Sequence, residues 1–72
     1  MRTYYFDMKD GIPVRDKSGL ELTSDSAAIA HSKLLAAEMR KAKPQGNPDL
    51  RIQVIDENGR EVHREKVYPR SN

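Results

Sequence analysis

At 72 residues, 36% of them apolar and none of them cysteine, the chain can build one thin core and cannot staple it with disulfides or thiolate metal sites. Thirteen Lys and Arg against 11 Asp and Glu give a net charge of +2, with opposite signs interleaved almost throughout; the basic excess sits in the second half, so one strongly charged surface is not the dominant feature. No apolar run approaches the roughly 18 residues of a membrane span, and MRTYYFDMKD lacks a signal-peptide core, so a single cytoplasmic domain over residues 1–72 is expected.

Thr3 to Met8 is aromatic and alternating and predicts a strand, with Tyr4, Phe6 and Met8 toward the core and Thr3, Tyr5 and Asp7 on the other face. Asp10-Gly11 is a hairpin-type turn into Ile12-Pro13-Val14, an edge strand because Pro13 has no N–H for a ladder. Asp16-Lys17-Ser18-Gly19 punctuates the chain again. Ser24 to about Ala42 is rich in helix formers, with Ser24 or Asp25 as N-cap and Lys41 and Lys43 near the negative end of the dipole. Ala28, Ile29, Ser32, Leu35, Ala36 and Met39 share one side of this helix; His31, Lys33, Glu38, Arg40 and Lys41 fall elsewhere. Small residues in the stripe let the helix lie close on a sheet and leave Leu34 partly exposed, and Pro44, Gly46 and Pro48 end it.

Leu50, Ile52 and Val54 alternate with Arg51, Gln53 and Ile55, and Asn58-Gly59 predicts a type I′ turn, both residues at positive φ, into a strand over Arg60 to Tyr68. Val62 and Val67 have opposite parity, so a bulge intervenes or one valine faces outward. Residues 70–72 are expected to fray. The class is α+β: a small antiparallel sheet of three to four strands in β-β-α-β-β order, with one helix across one face. Tyr5, Ile55 and one of the two valines populate the other face, which either meets water or makes an interface.

Chemistry-bearing residues each have a plainer account. Asp7, Asp10 and Asp16 could pair for acid–base work or bind a hard cation, but Asp also caps turns through its own backbone. His31 and His63 have no Cys nucleophile and no nucleophile-elbow Ser to serve. Asp56-Glu57-Asn58-Gly59 superficially suggests a calcium loop, yet its glycine is at the fourth position where the sixth is required. Arg40, Lys41 and Lys43, joined by Arg51, Arg64, Lys66 and Arg70, could contact phosphates with Tyr4, Tyr5 or Tyr68 stacking on bases. Alternation places Arg64 and Lys66 with Tyr68, and Glu61 and Glu65 on the opposite parity.

Tyr4-Tyr5-Phe6-Asp7, Asp10-Gly11, Asp16-x-x-Gly19-x-Glu21-Leu22, the Ala-rich helix and Ile52-x-Val54-x-Asp56-Glu57-x-Gly59-Arg60 follow one another in an order that resembles a family of short bacterial proteins whose domain has no assigned function. The resemblance covers nearly the whole chain, with Thr23-Ser24 where the family often has Pro-Asp and a more basic helix end around Arg40 to Lys43. It implies the fold and transfers no activity, cofactor or metal. The expected function is a non-catalytic interaction module without cofactors, which self-associates or docks on a protein through Tyr5, Ile55 and Leu34. The alternative is weak nucleic-acid binding by Arg40, Lys41, Arg64, Lys66, Tyr68 and Arg70. A looser similarity to small antitoxins that bind an RNA-cleaving partner lacks their turn motif before the helix.

Overall fold

The alternating aromatic segment becomes the central strand. The structure is a computed structural model that describes residues 1–9 and 13–68, and in it β1 (Arg2–Lys9) is paired along both edges. On one edge lie two short pieces, β2 (Pro13–Val14), with Val14 opposite Met8, and β3 (Leu20–Leu22), with Leu20 opposite Tyr4. On the other edge β4 (Arg51–Asp56) sets Val54 opposite Phe6 and Ile52 opposite Met8, and β5 (Glu61–Lys66) continues the sheet. Taken as one interrupted edge strand, β2 and β3 give an antiparallel sheet of four positions and the β-β-α-β-β order expected. Leu20–Leu22 is a strand that the sequence did not announce: three residues carry no periodicity, and pairing with β1 defines them. The Asp10-Gly11 turn, Ile12 and the tail at 70–72 lie outside the described residues.

A single side chain fills the break between β2 and β3. Phe6 N–H donates to Asp16 Oδ2 at 3.2 Å, where a strand partner would otherwise stand, and Asp16 Oδ1 accepts from Ser18 N at 3.0 Å and Gly19 N at 3.3 Å. Asp16 N donates to Asp7 Oδ1 at 2.8 Å, giving a buried carboxylate in an aromatic strand a fixed partner. Gly19 closes this loop at φ +74°, and a Cβ there would stand 2.9 Å from Thr3 Cγ2 and 3.0 Å from Tyr5 Cε1.

Helix α1 (Asp25–Ala42) begins at the Ser24 N-cap, whose Oγ accepts from Ala27 N at 3.2 Å. Its predicted small-residue stripe is the contact face: Ala28, Ser32 and Ala36 are fully buried against Tyr4, Phe6, Ile52, Val54 and Val67, with Leu35 and Met39 flanking them. His31, expected off this stripe, is half-buried with its ring edge against Phe6, centroids 4.9 Å apart. It stands one helical turn from both Ala28 and Leu35, so the close approach that the small residues allow brings it to the sheet.

The β4–β5 hairpin differs from the expected type I′ turn. Asn58 is not at positive φ; Gly59, at +84°, alone is, and Gly59 N donates to Asp56 O at 3.0 Å. The connection is thus a three-residue loop, Glu57 to Gly59, held by Asp56 Oδ1, which accepts from Asn58 N and Arg60 N at 2.9 Å each. A bulge follows, since Ile55 pairs with Glu61 and Val54 with His63, leaving Val62 as the extra residue. The extra loop residue and the bulge offset each other, so Arg51 faces Lys66 as a two-residue turn would require. The bulge also puts Val62 and Val67 both against the core, and moves Glu61 to the face of Arg64, against the simple alternation. Among the described residues no helix is long and apolar enough to cross a membrane.

Candidate functional site

With the helix on one face, register alone arranges the other into cross-strand rows. The first is Lys9–Arg51–Lys66, the second Asp7–Gln53–Arg64, the third Tyr5–Ile55–Glu61. In the second and third, acid and base are matched: Glu61 Oε1 accepts from Arg64 Nε at 2.5 Å and from Gln53 Nε2 at 3.0 Å. The Arg64 guanidinium, followed by the Gln53 amide, holds Glu61 below the usual carboxylate range, and Glu61 raises Arg64 in return. The first row is unmatched. None of its three cations pairs with a carboxylate among the described residues, Arg51 Nη1 reaches only Asp49 O at 3.4 Å, and Arg51 Nε is enclosed without a hydrogen-bond partner.

Around the third row the same face sinks into a depression of about 360 Å³, lined by Tyr5 and Ile55 together with Asp7, Asp16, Asp56 and Glu57, and with Arg15 as its one basic lining residue. Burial pushes the Asp16 carboxyl up, but the N–H groups of Ser18, Phe6 and Gly19 outweigh it and hold the group below its ordinary value. The Arg60 N–H, with that of Asn58, does the same for Asp56. Around the end of the sheet Tyr4 OH donates to Asp25 Oδ1 at 2.6 Å, and Arg2 and Arg60 approach Asp25 at 3.6 and 3.9 Å. The bond to Asp25, with burial, raises the Tyr4 phenol above its usual range. A more apolar hollow of about 330 Å³ lies at the helix C-terminus, between Met39, Ala42, Leu50 and Tyr68.

The expected interaction residues separate into two groups. Tyr5 and Ile55 are directly opposite one another on the uncovered face, whereas Leu34, 55% exposed, is on the helix that covers the other face. The expected basic patch also divides. Arg64 and Lys66 belong to the uncovered face, but Arg40 Nη1 donates to Val67 O at 2.8 Å, Lys41 is exposed on the helix, and Tyr68 OH donates to Lys43 O at 2.6 Å with its ring against the core. Tyr68 is thereby removed from the Arg64–Lys66 face, and Arg70 lies outside the described residues. Counting outward from Asn58-Gly59 could have matched Arg51 with Lys66; Lys9 joins them only through the long-range β1–β4 pairing.

Neither histidine joins the carboxylates of the depression. Asp7 and His63 stand on opposite faces of the sheet, and His63 Nε2 is engaged with Glu65 Oε1 at 2.8 Å, where Lys33 Nζ also donates at 3.1 Å. Among the described residues no three His, Asp or Glu side chains group at metal-binding spacing. No curated protein and no solved structure matches the chain. The resemblance carried by its strand, turn and hairpin residues has a direct counterpart in a family match over residues 3–67, and the chain belongs to the family described as Domain of unknown function (DUF6894).

Proposed function

We propose that the protein is a non-catalytic cytoplasmic interaction module that docks on protein through its uncovered sheet face. The observation that carries this reading is the adjacent pair Tyr5 and Ile55, half-buried on a face that no element of the described chain covers. The separation of His31 and His63 from the carboxylates of the depression supports a binding role over a catalytic one. Ile55→Ser and Leu34→Ser, checked for folding by circular dichroism, are compared with the parent chain in sedimentation and in affinity capture followed by mass spectrometry. Loss of association with Ile55→Ser and its retention with Leu34→Ser are expected; association indifferent to Ile55, or lost only with Leu34→Ser, rejects the sheet face.

A second reading, nucleic-acid binding, is favoured by one observation: the Lys9–Arg51–Lys66 row. It ranks below the first because no aromatic ring stands in that row, and Tyr68 is turned to the helix end. Titration with a single-stranded oligonucleotide at low salt separates the two, since phosphate contacts weaken steeply as salt rises.

A further inference from the structure

We propose that the occupant of the uncovered sheet face is a second copy of this chain, packed face to face with strands antiparallel, so that the basic row of each copy meets the acidic depression of the other. The inference rests on the reading of this face as the docking surface and adds the identity of what covers it.

The face is bipolar. At one end Lys9, Arg51 and Lys66 are directly opposite one another on three adjacent strands, an arrangement of like charges that weakens a sheet unless something neutralises it. At the other, Asp16 and Glu57 border the depression in which Tyr5 and Ile55 lie, with Arg15 as its basic lining residue; Asp7, which also lines it, is buried in the middle row, and Asp56, opposite Tyr4 in register, is paired with Arg60. The basic row and the Tyr5–Ile55 row are four residues apart along the strands, about 13 Å. A two-fold axis lying between two stacked sheets, perpendicular to the strands, reverses strand direction and carries the basic end of one copy over the acidic end of the other. The contact then occurs twice by symmetry, and it includes Tyr5 and Ile55, which lie between the basic row and Glu57 along the strands. An acidic peptide or a nucleic acid would neutralise only the basic row; a second copy answers both ends with one surface.

Edge-to-edge pairing is the other way to join two copies, and both edges resist it. An antiparallel two-fold through β5 sets one residue against its own copy, Arg64 on Arg64 or Glu65 on Glu65 when the axis passes through either. The opposite edge is broken between β2 and β3 at Asp16. The sheet face measures roughly 15 Å by 25 Å from strand spacing and rise, below the roughly 800 Å² per partner of a stable interface. The dimer is therefore weak and dependent on salt.

Sedimentation velocity over a concentration series at low and high salt tests this with the full chain. The parent is expected to dimerise at low salt and dissociate at high salt. Lys66→Glu and Glu57→Lys, both at exposed positions, are each expected to sediment as monomers, and an equimolar mixture of the two to recover the dimer, because in the mixed dimer one contact is parental, the other is reversed in sign, and both are complementary. A parent that stays monomeric at low salt and the highest soluble concentration overturns the proposal. So does a dimer indifferent to both reversals, a mixture that fails to recover, or association seen only after adding an oligonucleotide. If the parent is monomeric yet captures another protein in an Ile55-dependent way, the self-association fails and the docking face stands. If Ile55→Ser changes neither measurement, the docking face itself fails.

Discussion

Asp16 supports the sheet at the one place along β1 where the edge strand is missing, accepting from three backbone N–H groups with its two oxygens. Asp16→Ala leaves Phe6 N–H beside the core without its acceptor, and an unsatisfied donor of that kind costs about 1–3 kcal/mol. Asp16→Asn retains one acceptor oxygen and is expected to cost less; the order parent, Asn, Ala should appear in urea midpoints at unchanged m. The two positive-φ glycines give a second contrast. Alanine at Gly59 meets nothing within 4 Å and bears only the left-handed backbone penalty, about 1–2 kcal/mol. Alanine at Gly19 bears the same penalty and also presses on Thr3 and Tyr5, so its midpoint should fall further; equal losses would show that the loop yields freely. The sequence displayed Asp16 and Gly19 as turn residues, which they are. That the Asp16 carboxylate also substitutes for a strand was not legible, because it depends on where the edge of β1 is left open.

At the scale of elements, the helix was the most readable part because its information is local: a cap, a stripe at helical spacing and prolines beyond the end. Its buried face predicts opposite outcomes for two neighbouring positions. Ser32 Oγ donates to Ile29 O within the helix, so Ser32→Ala removes a locally satisfied hydroxyl and gains helix propensity; a change within about 0.5 kcal/mol is expected. Ala36 is fully buried against the sheet, and Ala36→Leu forces the helix away or the side chain off its rotamer, costing about 1–3 kcal/mol. Thermal denaturation of the two variants checks both, and an Ala36→Leu chain as stable as the parent would mean that the helix is loosely seated. The hairpin was readable in register and misread in detail. Asn58-Gly59 marks the turn correctly, but the Asp56 side chain stabilises a longer loop and the bulge at Val62 takes up the difference, so the parity of Glu61 could not be had by alternation alone.

For the whole molecule, the charges that interleave in sequence are sorted by the fold, and the sorting depends on β1 pairing with a strand more than forty residues away. This is why the Lys9–Arg51–Lys66 row is invisible in the chain; the Glu61–Arg64 pair is hidden as well, because the bulge makes it, whereas His63 and Glu65, two residues apart, share a face by simple alternation. The matched carboxylates make stability depend on acid. Glu65 is held low by its bond to His63 and then by Lys33, against the effect of burial; Glu61, Asp56 and Asp16 are held low by the partners described above. A carboxylate whose folded value lies below its unfolded value binds protons more readily in the unfolded chain. Its contribution is therefore complete above the unfolded value, near about 4, and disappears as pH falls through the lower folded value. Urea midpoints are expected to decline on going from about pH 5 to about pH 2, with Asp16→Asn flattening part of the decline since that position no longer titrates. An Asp16→Asn chain that loses stability with acid as steeply as the parent would mean that the three backbone bonds do not distinguish the ionised group. The link between edge closure and charge at Asp16 would then be broken, leaving the other carboxylates to account for the acid response.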